Sequence, residues 1–121
     1  MCQPLTSVRL GPRISEHGGI MAAYMVAQVL SVTDPVGFRE YGARVTATVE
    51  RYGGRFLVRR GDIQALEGDW GARMVIIEFE SVARARAWYE SEEYRPLIEL
   101  RQRTADTMLS IVEGVPGARG G

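Results

Sequence analysis

Apolar and polar positions alternate from Ala23 to Val32, with Tyr24, Val26, Gln28 and Leu30 on one side and Met25, Ala27 and Val29 on the other. Both sides are largely apolar, which predicts a central strand covered on two faces. Thr33-Asp34-Pro35 then stops the strand: Asp34 suits a helix N-cap, and Pro35 suits the first helical position, where its missing N–H costs nothing. Phe38, Tyr41, Val45, Val49 and Tyr52 follow at spacings of three and four and form one helical stripe. Glu40 and Arg44 add an i,i+4 pair, and Gly53-Gly54 supplies a left-handed end to the helix.

Arg55 to Arg60 reads as a second strand, Gly61-Asp62 as a turn, and Ile63 to Glu67 as a short strand continuation. Gly68-Asp69-Trp70-Gly71 is a loop holding a large aromatic. Arg73 to Glu80 carries the strongest strand pattern, with Val75, Ile77 and Phe79 opposite Met74, Ile76 and Glu78. Ser81 is an N-cap candidate for a helix over Val82 to Glu90 that buries Ala85, Trp88 and Tyr89. Ser91 offers a fresh cap with Glu92 and Glu93 behind it, for a helix running on through Leu97, Ile98, Leu100 and Thr104 to about Asp106. Met108 to Glu113 is a last strand, and residues 115–121 form a Gly-rich tail expected to be flexible. Residues 1–20 lack a repeating apolar face, because Pro4, Gly11, Pro12, Gly18 and Gly19 break it, and are expected to form an extension or arm.

The order β-α-β-β-α-β over residues 21–114 predicts a ferredoxin-like α+β domain: one antiparallel sheet with its helices on a single face. Strands apolar on both sides then leave one sheet face bare, a patch larger than monomers usually expose. A second copy, sheet against sheet, is the simplest cover. Even about 600 Å² of apolar area is worth roughly 15 kcal/mol before association costs, which predicts a stable homodimer through the helix-free face.

Composition narrows the chemistry. Fifteen basic residues balance fifteen acidic ones, which argues against a nucleic-acid or anionic-membrane grip. Every basic residue is Arg, so lysine-based covalent chemistry is off the menu. The lone cysteine, Cys2, fits a reducing cytoplasm, and no apolar run approaches the roughly 20 residues of a membrane span. The only histidine, His17, lies in the N-terminal stretch, so a metal site or a His-activated nucleophile in the domain is not expected. No Walker or GxGxxG motif is present, and no cofactor is expected.

Carboxylate, tyrosine, arginine and tryptophan chemistry remain. Glu78 shares a strand face with Met74 and Ile76, where burial raises a carboxylate pKa toward acid/base use; the competing reading is pairing with an Arg. Tyr94, just past a helix start, is the second catalytic candidate, or a packing residue. Gln28 inside an apolar strand can hold a ligand or satisfy neighbouring backbone. Tyr41 and Tyr52 stand at core spacing, and Tyr41 is also a ligand-binding candidate. Trp70 can line a pocket mouth or a dimer seam, the Tyr89 hydroxyl can face a cleft, and Arg55 and Arg73 suit an anionic ligand or the plain surface.

Met21 to Val29, Thr33-Asp34-Pro35, Tyr41, Tyr52 to Arg59, Leu66 to Trp70, Glu78-Phe79 and Ala87 to Tyr94, in that order, resemble the DUF1330 family. The resemblance implies a dimeric α/β-barrel protein of ferredoxin-like fold, with a cleft between sheet and helices. It implies no particular reaction. The leading expectation is a small organic ligand in that cleft. Alternatives are a non-catalytic dimeric accessory or stress-related module, and, by analogy of fold, a cofactor-free monooxygenase- or isomerase-like enzyme.

Overall fold

The structure, a computed structural model, describes residues 21–116. Expectations for the arm at residues 1–20, including Cys2 and His17, and for the last five residues of the tail lie outside that range.

The elements are β1 (Ala23–Val32), α1 (Pro35–Arg51), β2 (Arg55–Asp62), β3 (Arg73–Phe79), α2 (Val82–Tyr89), α3 (Arg95–Thr104) and β4 (Ala105–Glu113). The strands form one sheet in the order β2-β3-β1-β4, every neighbouring pair antiparallel. This is the ferredoxin-like arrangement, with its second helix split in two. Asp34 caps α1, its carboxylate accepting from the Gly37 N–H at 3.1 Å, and Ser81 caps α2 by accepting from the Arg84 N–H. Gly53 takes φ +80° to end α1. The chain then passes so close to the core at Gly54 that an added Cβ would sit 2.7 Å from the Phe79 ring.

Met25 and Ala27 of β1 and Ile77 and Phe79 of β3 share one buried cluster with Val45, Val49, Ala85, Trp88, Leu97 and Leu100. All three helices therefore cover the same sheet face. Trp88 is wholly buried, with Tyr94 at 4.2 Å and Phe79 at 5.6 Å between ring centroids, and its indole N–H donates to Thr48 Oγ1. The opposite face pairs Tyr24 with Glu78, Val26 with Ile76 and Ser110, and Gln28 with Met74 and Met108. No helix of the described chain covers that face, and Met108 and Val112 on it are 58% and 49% exposed.

Three expectations need correction. Gly61-Asp62 is not a turn: β2 continues through Asp62, which pairs with Arg73, by means of bulges at Phe56/Val58 and Arg59/Gly61. Arg60 takes φ +55° inside the second bulge, absorbing the register shift expected of a turn. Ile63 to Glu67 is not a strand, because β3 begins at Arg73 and offers it no ladder. α3 also ends earlier than expected, at Thr104. There the Thr104 hydroxyl donates to the Leu100 carbonyl, and the Thr104 carbonyl accepts from the Thr33 and Asp34 N–H groups. Among the described residues no helix is long and apolar enough to cross a membrane.

Candidate functional site

A cavity of about 290 Å³ lies between α1 and the helix-side face of the sheet. Its walls are Met25, Ala27 and Val29 of β1, Phe56 of β2, and Val75 and Ile77 of β3. Phe38, Gly42 and Val45 of α1 close it from above. The space exists partly because α1 packs principally along α3 and carries a glycine on its inner stripe: a Cβ built at Gly42 meets nothing within 4 Å.

One end of the cavity is polar. Tyr41, Arg101 and Thr107 line it, supplied by α1, α3 and β4. The Arg101 Nη1 donates to Thr107 Oγ1 at 2.7 Å, and its Nε donates to the Tyr94 hydroxyl at 3.3 Å. The Tyr94 hydroxyl lies 2.7 Å from that of Tyr41. Either hydroxyl can donate to the other, and Arg101 also interacts with Tyr41, so the two phenols and the guanidinium form one connected polar network. The Tyr94 ring is fully buried between Trp88 and Tyr89, which fixes this chain of donors from behind.

Burial, and then the neighbouring Tyr94, push the Tyr41 phenol well above its ordinary value. Burial likewise raises Tyr94, against the lowering effect of Arg101. Burial works to lower Arg101, but the phenols of Tyr94, Tyr41 and Tyr89 outweigh it and hold the guanidinium above its ordinary value. At neutral pH the polar end is therefore two intact phenols and one cation, all donors. It can bind an acceptor or stabilise an oxyanion, and it offers no base. The guanidinium of Arg59 lies 3.8 Å from the centroid of Phe56, and that of Arg60 lies 5.6 Å from that of Phe38; both line the cavity with Arg39.

Of the residues singled out from sequence, Tyr41 and Tyr94 converge and the others do not. Tyr41 lines the cavity, and Tyr94 stands directly behind it. Glu78 lies on the opposite sheet face, buried and bonded to the Arg55 Nε at 2.9 Å, so Glu78 and Arg55 pair with each other away from the cavity. The Gln28 side-chain oxygen accepts from the Gly71 N–H at 2.7 Å and pins the Trp70 loop. Trp70 donates to the Glu67 carbonyl and lines a shallow hollow with Val58, Leu66 and Met74. Tyr89 lines a separate shallow hollow under α2, and Arg73 pairs with Asp62. Arg101, Thr107 and Gly42 escaped the sequence reading. For Arg101 the signal was available: it stands four residues after Leu97 and three before Thr104, on the buried stripe of α3.

Comparison with known proteins places this geometry in context. The chain shares its fold with a protein of unknown function from Rhodopseudomonas palustris, RPA0582 (TM-score 0.63, 22% identity, covering 76% of this chain and 81% of the other). It shares it also with SnoaB, a cofactor-independent oxygenase from Streptomyces nogalater (TM-score 0.58, 17% identity, 84% and 96% covered). HapK from Hahella chejuensis is a third (TM-score 0.54, 18% identity, 84% and 99% covered). No functionally curated protein matches the sequence. Residues 22–115 match the family model of DUF1330, a domain of unknown function, and the chain belongs to that family.

Proposed function

We propose that this protein binds a small, flat organic molecule in the cavity between α1 and the sheet, and that it does so as a homodimer joined through the helix-free sheet face. The observation that carries the first part is the cavity itself: a largely apolar slot of about 290 Å³ whose wall carries the linked Tyr41, Arg101 and Thr107 and three further arginines. That is the usual build of a small-molecule site, at the small end of the size range, and suits one or two fused rings. The second part rests on the exposed Leu30, Met108 and Val112, which a second copy would cover.

Binding is favoured over catalysis by the lining. It contains no Asp, Glu, His or Lys to remove a proton, and the two phenols stay protonated. SnoaB shares the fold, but at 17% identity its oxygenase chemistry does not carry over.

A thermal-shift panel of one- and two-ring aromatic metabolites tests the cavity. A compound present at about 100 times its dissociation constant is expected to stabilise the protein by about 2.7 kcal/mol. Gly42→Leu is expected to fold at least as well as the parent, since leucine favours the helix by nearly 1 kcal/mol over glycine and its Cβ has open space. It fills the slot, and the stabilisation should vanish. A panel with no stabilising compound, or equal stabilisation of Gly42→Leu, would reject the cavity as the site.

A further inference from the structure

We infer that the cavity's ligand carries an anionic oxygen group, a carboxylate or a delocalised oxyanion, received by Arg101; this rests on the cavity being the binding site. Arg101 is only 5% exposed, yet its guanidinium lines the cavity. Its partners are neutral hydroxyls: Tyr94 through Nε, Thr107 through Nη1, and Tyr41 beside them. Among the described residues no carboxylate lies in ion-pair range of Arg101. A buried cation without a counter-charge is costly, and proteins keep one where a ligand supplies the missing charge.

The wider lining agrees. The whole chain has equal numbers of acidic and basic residues, but the cavity is lined by Arg39, Arg59, Arg60 and Arg101 and by no acid. A cationic ligand would be repelled. A neutral one would leave the guanidinium uncompensated. A carboxylate can accept from the Arg101 guanidinium while the Tyr41 hydroxyl, which lines the same cavity, offers a second contact. The ring system behind it would rest on Met25, Val45, Phe56 and Ile77. The ligand class is therefore a small aromatic or alicyclic acid.

Calorimetric titration with naphthoate and with naphthamide, its uncharged analogue of nearly the same shape, tests this. The protein is expected to bind naphthoate at least about tenfold more tightly than naphthamide, a difference typical of one charge-assisted contact. Arg101→Met should abolish the preference while still binding naphthamide. If that variant does not fold, salt dependence decides on the unmodified protein. A buried guanidinium is weakly screened, so the preference should survive molar salt, whereas a preference owed to the rim arginines collapses there. Equal affinity for the two probes, or a preference lost in salt, overturns the inference and leaves the cavity reading standing. Binding of neither probe overturns both.

Discussion

Replacing Trp88 by alanine is expected to lower the unfolding free energy by about 4 kcal/mol, within the range of about 3–5 kcal/mol found for buried aromatics truncated to alanine. Trp88 is wholly buried and is the hub of the aromatic cluster: Phe79, Tyr89 and Tyr94 all lie within 6.2 Å of it between centroids. Truncation leaves a void that the sheet and three helices cannot all collapse into. For a domain of this size the midpoint of thermal unfolding should drop by roughly 20 °C. Trp88→Phe keeps most of the stacking and gives up the indole bond to Thr48, so its loss should be much smaller. Because Trp88 packs on Tyr94, which accepts from Arg101, the alanine variant should also loosen the polar end of the cavity. A loss under about 1 kcal/mol for Trp88→Ala, read by chemical denaturation, would mean that this cluster is not the core.

The second large effect concerns assembly. Met108 and Val112 are on the open sheet face and about half exposed in one protomer, so the double change Met108→Asp, Val112→Asp should leave the protomer folded. In a sheet-to-sheet dimer it would bury four added carboxylates, two from each copy, at a cost of several kcal/mol. Light scattering at micromolar concentration is expected to give twice 13.4 kDa for the natural sequence and 13.4 kDa for the variant. A natural-sequence particle of 13.4 kDa, or a variant that stays paired, would show that something other than a second copy covers that face.

The fold was legible because its signals are local. Asp34-Pro35, Gly53-Gly54 and Ser81 punctuate the chain by backbone chemistry that owes nothing to distant contacts. The β-α-β-β-α-β order of those elements likewise exposed the layer arrangement, with the helices on one sheet face. What sequence could not supply was partnership. Ile63 to Glu67 reads as a continuation of β2, but beyond the Ile63 N–H bond to the Ala72 carbonyl β3 gives it no ladder, and Gly61 looks like a turn although a bulge carries β2 through it. The candidate site suffered most, since it is assembled from α1, α3 and β4 at positions far apart in the chain. Tyr41 and Tyr94 were visible as aromatics, but their 2.7 Å contact and their link to Arg101 are products of packing. Glu78 was conspicuous for a reason that packing removes: its apolar strand neighbours lie on the face turned away from the cavity, where Arg55 neutralises it.

The most direct measurement is a methyl-detected NMR titration with naphthoate and then naphthamide. Saturable shifts are expected centred on Met25, Ala27, Val45, Val75, Ile77 and Leu109, which are among the methyl-bearing residues that line the cavity. Shifts confined to Val26, Ile76, Met108 and Val112 on the opposite face, or no saturable shift with either probe, would contradict this expectation.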